Sequence, residues 1–149
     1  MLLNTRHFGT IEVNEEDIIQ FPEGIPGFED TKEFVLLGDT QDEDSPFKWL
    51  QGIDNPQLAF VIIDPKAFKH DYNPELPPSE IEVLEIKDIS KVLIYSIVVI
   101  PDDVSKMTAN LKAPVVINAE NNKGKQVLLN NPEYQVKHSI LEELRKAGV

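Results

Sequence analysis

Apolar residues in this chain come in short bursts with a period of two, cut apart by glycine, proline, asparagine and aspartate. A period of two places alternate side chains on opposite faces of a strand, and the intervening residues are those that turn a chain. The bursts run from Gly9 to Val13, Ile18 to Phe21, Glu33 to Leu37, Phe47 to Gln51, Leu58 to Ile63, Val92 to Ile100, Met107 to Leu111, Val115 to Asn118 and Gln126 to Leu129. Their spacing of roughly 8 to 12 residues is that of an all-β fold, and no helical stretch separates them as βαβ units require. The pattern predicts a barrel or sandwich, mostly antiparallel and strongly bent.

Met107, Ala109 and Leu111 alternate with Thr108, Asn110 and Lys112, which gives one apolar face. Pro114 cannot donate to a ladder, so the strand kinks there; Val115, Val116 and Ile117 then form a continuous apolar run, as in strands buried on both faces. Thr108, Asn110 and Asn118 either satisfy backbone groups near this kink or face a partner. The segment Pro22 to Phe28, PEGIPGF, reads as an ordered turn, and Asn121 to Gly124 as a hairpin turn with Gly124 at positive φ. Two short helices are expected, Ser79 to Leu84 and Ser139 to Ala147, each opened by a serine with a glutamate three residues on. Lys66 to Pro78 reads as a long surface loop, Leu58 to Ile63 as core, and Trp49, the only tryptophan, as a core residue that could instead anchor an interface.

The chain has 149 residues, 41% of them hydrophobic, enough for one core, so a single domain over residues 1 to 149 is expected. A formal net charge of -12 sets up a field that repels phosphate backbones and favours a basic protein partner. Lys123 and Lys125 form the closely spaced basic pair near an exposed turn. The first residues lack the apolar core of a secretory signal, and the strongest apolar run, Val92 to Ile100, falls far short of the roughly 20 residues of a membrane helix. These features lead to the expectation of a soluble, cytoplasmic protein. With no cysteine, disulfides, thiolate catalysis and cysteine-ligated zinc are excluded.

The residue types that carry chemistry are present without the spacing that chemistry needs. His7, His70 and His138 are scattered, and the acidic run from Asp39 through Asp44 lacks the glycine and spaced glutamate of a calcium loop. No serine sits in a glycine-flanked elbow, and Gly24 and Gly27 do not precede a helix as phosphate-cradling glycines do. No catalytic, metal or cofactor residues are assigned.

Four segments in order, FPEGIPGFED, SPFKWLQGIDNPQLAFVIIDP, IPDDVSKMTANLKAPVVIN and GKQVLLNNPEYQVKHSI, together make the chain resemble the bacterial flagellar assembly factor FliW family over nearly its whole length. Gly52 stands where the family often has serine. The resemblance implies a small antiparallel β-barrel-like protein that binds flagellin. It also implies binding to the RNA-binding translational repressor CsrA, relieving repression of flagellin synthesis. An acidic monomer that binds no nucleic acid suits an antagonist of a basic RNA-binding protein. The alternatives from other classes are a ligand-binding or hydrolytic β-barrel and a structural scaffold subunit. For the repressor-binding surface the candidates are Asp102 and Asp103, which supply charge, Met107, a pliable apolar contact, and Asn110 and Leu111 beside it; the acidic run from Asp39 to Asp44 is the next choice.

Overall fold

The computed structural model describes residues 1–38 and 45–146, so the acidic run at Asp39 to Asp44 and the last expected helical residue, Ala147, lie outside the described residues. Eleven strands follow in chain order: β1 (Leu2–Thr5), β2 (Gly9–Glu12), β3 (Ile19–Gln20), β4 (Glu33–Gly38), β5 (Phe47–Gly52), β6 (Ala59–Ile63), β7 (Val92–Val99), β8 (Thr108–Ala109), β9 (Val115–Asn118), β10 (Lys123–Gln126) and β11 (His138–Ser139). Helix α1 (Pro78–Val83) lies between β6 and β7, and α2 (Ile140–Lys146) follows β11. Strands β7-β6-β5-β4-β3-β10-β9 pair in that order, and β9 pairs again with β7, which closes a seven-stranded barrel. All its ladders are antiparallel except β10 on β3. Past its pairing with β9, β7 carries β8 and then β11 as an extension, and β1–β2 is a separate hairpin.

Alternation along the strands divides the apolar residues between faces. Phe21, Phe34, Leu50, Ile62, Val115 and Ile117 fill the barrel, whereas Ile63, Val98 and Val116 point outward into a second cluster with Phe68, Tyr72 and Tyr134. Val35 packs beneath the β1–β2 hairpin with Val13 and Ile53. The expected double burial of Val115 to Ile117 is found, because β9 has the barrel interior on one side and the second cluster on the other. Adjacent Ile62 and Ile63 divide in the same way.

Several expectations change. The segment from Lys66 to Pro78 is no simple surface loop: Phe68 and Tyr72 are each only 2% exposed, so it covers the second cluster. The Tyr72 hydroxyl donates to the Leu111 carbonyl at 2.8 Å, and the Asn73 amide donates to the Tyr134 hydroxyl at 2.6 Å. Trp49 is half-buried outside the barrel, edge-on to Phe8 at 5.1 Å, since alternation sends its neighbour Leu50 inward. Helix α1 has no serine cap. Pro77 precedes it and Pro78, whose fixed φ suits a first helical position, places Ser79 inside the first turn. Ser139 does cap α2, its hydroxyl accepting from the Glu142 amide at 3.2 Å.

Strand β10 begins three residues earlier than its apolar residues suggest. Asn122, not Gly124, takes the left-handed position at φ 55°, and its side-chain amide donates to the Glu16 carbonyl at 2.7 Å. Gly124 is instead paired with Ile117, and the Phe21 ring fills the space its side chain would need, with ring carbons 2.6 and 2.7 Å from an added Cβ. Val127 and Leu129, beyond β10, are buried in the second cluster. Two strands carried no alternating apolar signal, β1 and β11.

Candidate interaction site

The end of β7 and the turn that leads to β8 form the surface on which the acidic pair lies. Val98 points into the second cluster, so alternation turns Val99 outward at 58% exposed; Ile100 and Val104 follow at 49% and 66%. Asp102 and Asp103 are exposed between these apolar residues. The Asp103 carboxylate accepts from both the amide and the hydroxyl of Ser105, at 3.1 and 2.6 Å, capping the short 3-10 turn Val104–Lys106. Those two hydrogen bonds, side chain first, hold the Asp103 carboxyl below the usual carboxylate range. A shallow cleft of ≈290 Å³ separates this turn from α2 and is lined by Ser105, Lys106, Ser139, Leu141, Glu142 and Arg145.

The other sequence candidates do not all share that surface. Met107 is half-buried against the second cluster, and Asn110 uses its side-chain oxygen to accept from the Ala113 amide at 2.9 Å. Leu111 is 0% exposed and belongs to the core, so the candidate surface loses it: two residues past the β8 ladder it turns inward, where its carbonyl receives Tyr72. Asn118 is likewise a backbone partner, donating to the Leu84 and Glu85 carbonyls at 2.9 and 3.2 Å. Val99, Ile100 and Val104 were not singled out from sequence, although the alternation of β7 contained the signal for Val99.

The basic pair is engaged with carboxylates. Lys123 meets Glu85 at 2.6 Å, and Lys125 meets Glu80 at 2.7 Å and Glu23 at 2.9 Å. Glu80 chiefly, with Glu23, raises the Lys125 pKa against the opposing effect of burial. Beside α2, His138 Nε2 lies 2.9 Å from Glu143, which also meets Lys69 at 3.3 Å; Lys69 reaches Asp71 at 3.1 Å. Burial alone would raise the Glu143 pKa, but His138 and Lys69 outweigh it and hold the carboxyl low. Among the described residues no cluster of histidine, aspartate or glutamate has the makings of a metal site, and no helix is long and apolar enough to cross a membrane.

The family model described as FliW protein matches residues 2–140. The chain belongs to the FliW family. Flagellar assembly factor FliW of Thermoanaerobacter pseudethanolicus is 58% identical over 147 residues, covering 99% of this chain and 97% of its own length. The Bdellovibrio bacteriovorus flagellar assembly factor FliW is 39% identical over 149 residues, covering 100% of this chain and 84% of that relative. A crystal structure of the flagellar assembly factor FliW superposes with a TM-score of 0.85 at 40% identity, over 94% of this chain and 96% of that one. The FliW barrel interior in this chain is packed with side chains, Phe21, Phe34, Leu50 and Ile62 among them, each 0% exposed.

Proposed function

We propose that this flagellar assembly factor binds flagellin and the RNA-binding repressor CsrA in the cytoplasm, and that by occupying the repressor it relieves repression of flagellin synthesis. The observation that supports this reading is family membership joined to a specific surface: three exposed apolar residues, Val99, Ile100 and Val104, interleaved with the carboxylates of Asp102 and Asp103. An apolar patch rimmed by charge is the usual form of a protein-binding surface, and a chain of net charge -12 steers a basic partner toward it. The pairing of Lys123 and Lys125 with glutamates suits a protein whose effect on RNA passes through another protein. No catalytic group is needed. Contact area would come from Val99, Ile100, Val104 and the exposed edge of Met107, while the carboxylates set approach and orientation.

The test is association of the purified protein with the repressor, followed by rapid mixing at low and high salt. Asp102→Lys with Asp103→Lys should slow association and flatten its salt dependence; Val104→Ser should instead speed dissociation. Wild-type rates for both variants would remove this surface from the reading. Identification by mass of proteins that co-purify from lysate tests the two partners themselves: absence of both flagellin and the repressor would overturn the function.

A further inference from the structure

Strand β7 is longer than the strands beside it, and one of its edges is left without a partner. On one side Val92–Tyr95 pair with β9; on the other, β6 meets only Ser96 and Ile97. Beyond Ile63, β6 ends because Asp64 and Pro65 divert the chain into a 3-10 turn, with the Asp64 side chain capping the Lys66 amide at 3.0 Å. The main-chain bonds fix which groups face the gap. The Lys91 carbonyl accepts from Ala119 and the Ile97 carbonyl from Asn110, both on the β9 side. Since N–H and C=O groups alternate sides along a strand, Val92 and Ile94 present theirs to the opposite edge. The Val92 N–H turns back to the Ile89 carbonyl at the end of the 3-10 turn Ile89–Lys91, whereas among the described residues no main-chain bond outside the strand ladders reaches the Val92 carbonyl or either group of Ile94.

That edge opens into a cleft of ≈530 Å³. Four consecutive residues of β7, Val92 to Tyr95, line it together with Pro74, Leu76 and Ile81; consecutive residues point to opposite faces, so a shared cavity along all four requires access from the edge. The walls are apolar, with Ile89 66% exposed at the rim, and Asp64 and Lys66 stand at the mouth. An unpaired strand edge beside apolar walls fits one shape of ligand, an extended backbone whose alternate side chains enter the cleft.

We propose that this edge of β7 is a strand-addition site for an extended segment of a partner protein, apolar at alternate positions and basic where it leaves the cleft. Residues Val92 to Tyr95 span about 10 Å, enough for about three residues of added strand bonded to the N–H and C=O of Ile94 and to the C=O of Val92. The basic character follows from charge complementarity with a protein of net charge -12. The site is separate from the acidic turn, which follows the far end of β7, and stands whether or not that turn binds a repressor.

Amide hydrogen exchange read by NMR tests it in two stages. In the free protein the amides of Leu93 and Tyr95, which face β9, should be protected while that of Ile94 exchanges faster by about tenfold or more. A short peptide with blocked ends, alternating valine and lysine, should then slow exchange at Ile94 by a similar factor. The same peptide N-methylated on its valines should give no such protection, because it cannot donate to the edge. Protection of the Ile94 amide in the free protein equal to that of Leu93 and Tyr95, no response of Ile94 to the peptide, or an equal response to the N-methylated form would each overturn the proposal.

Discussion

Gly124→Ala should destabilise the protein even though Ala is the better strand residue, because the penalty comes from Phe21. An added Cβ would lie 2.6 Å from one ring carbon and 2.7 Å from another, about 1 Å inside ordinary carbon–carbon contact. Phe21 is 0% exposed and edge-on to Phe34 at 5.0 Å, so the ring cannot retreat without disturbing the filled barrel. Overpacking of this kind costs about 1–3 kcal/mol, and the smaller chain entropy of Ala in the unfolded state returns about 0.5–1 kcal/mol. A net loss of about 1–2 kcal/mol should lower the urea midpoint by about 0.5–1 M for an m-value of about 2 kcal/mol/M. Trp49 fluorescence and far-ultraviolet circular dichroism report the transition together. Phe21→Leu is destabilising by itself, but in its background Gly124→Ala should become neutral or mildly stabilising, a coupling of about 1–2 kcal/mol between the two positions. If Gly124→Ala leaves the wild-type midpoint unchanged, or costs the same with Leu at position 21, the ring is not what demands glycine.

Tyr72→Phe removes the hydroxyl that donates to the Leu111 carbonyl and leaves that carbonyl buried without it; thermal or urea unfolding should show a loss of about 1–2 kcal/mol. Glu143 has a lowered folded-state pKa, so the stability it contributes is present above the ordinary carboxylate pKa and is lost as pH falls through the folded value; Glu143→Gln should flatten the acid limb of a stability–pH curve, and an unchanged slope would refute the role of His138 and Lys69. Ser139→Ala, which deletes the α2 cap, should cost about 1 kcal/mol and raise amide exchange in Glu142 and Glu143 first.

What the sequence made legible was the part of the fold written in local alternation. Seven of the nine expected strands are found within one residue at either end, because their inward and outward residues differ in character. The remaining two illustrate the limits. The strand expected at Gln126 to Leu129 took its apolar residues for ladder residues, yet Val127 and Leu129 are buried by the cover segment, while the ladder uses Lys123 to Gln126. The run from Met107 to Leu111 keeps only Thr108 and Ala109 in a ladder, because Asn110 caps the following turn. In both places a distant element decides: Leu129 donates to the Lys112 carbonyl, and Leu111 to the Gln135 carbonyl, contacts no local window contains.

The candidate surface divides in the same way. Exposure of Asp102 and Asp103 follows from the cost of burying unpaired carboxylates, a rule that needs no tertiary knowledge. Whether the apolar residues around them are covered depends on where α2 and the β8–β11 extension come to rest, and that is set by His138 pairing with Ala109 and Ser139 with Thr108. Neither pairing is suggested by a polar two-residue strand. The consequence is that Leu111, apolar and in phase, reads from sequence as a surface candidate while Val99 and Val104 do not. The first is covered by Tyr72 from the Lys66 to Pro78 segment, whereas the other two stay more than half exposed among the described residues: β7 turns Val98 inward, the barrel ends, and Val99 and Val104 face away from the core.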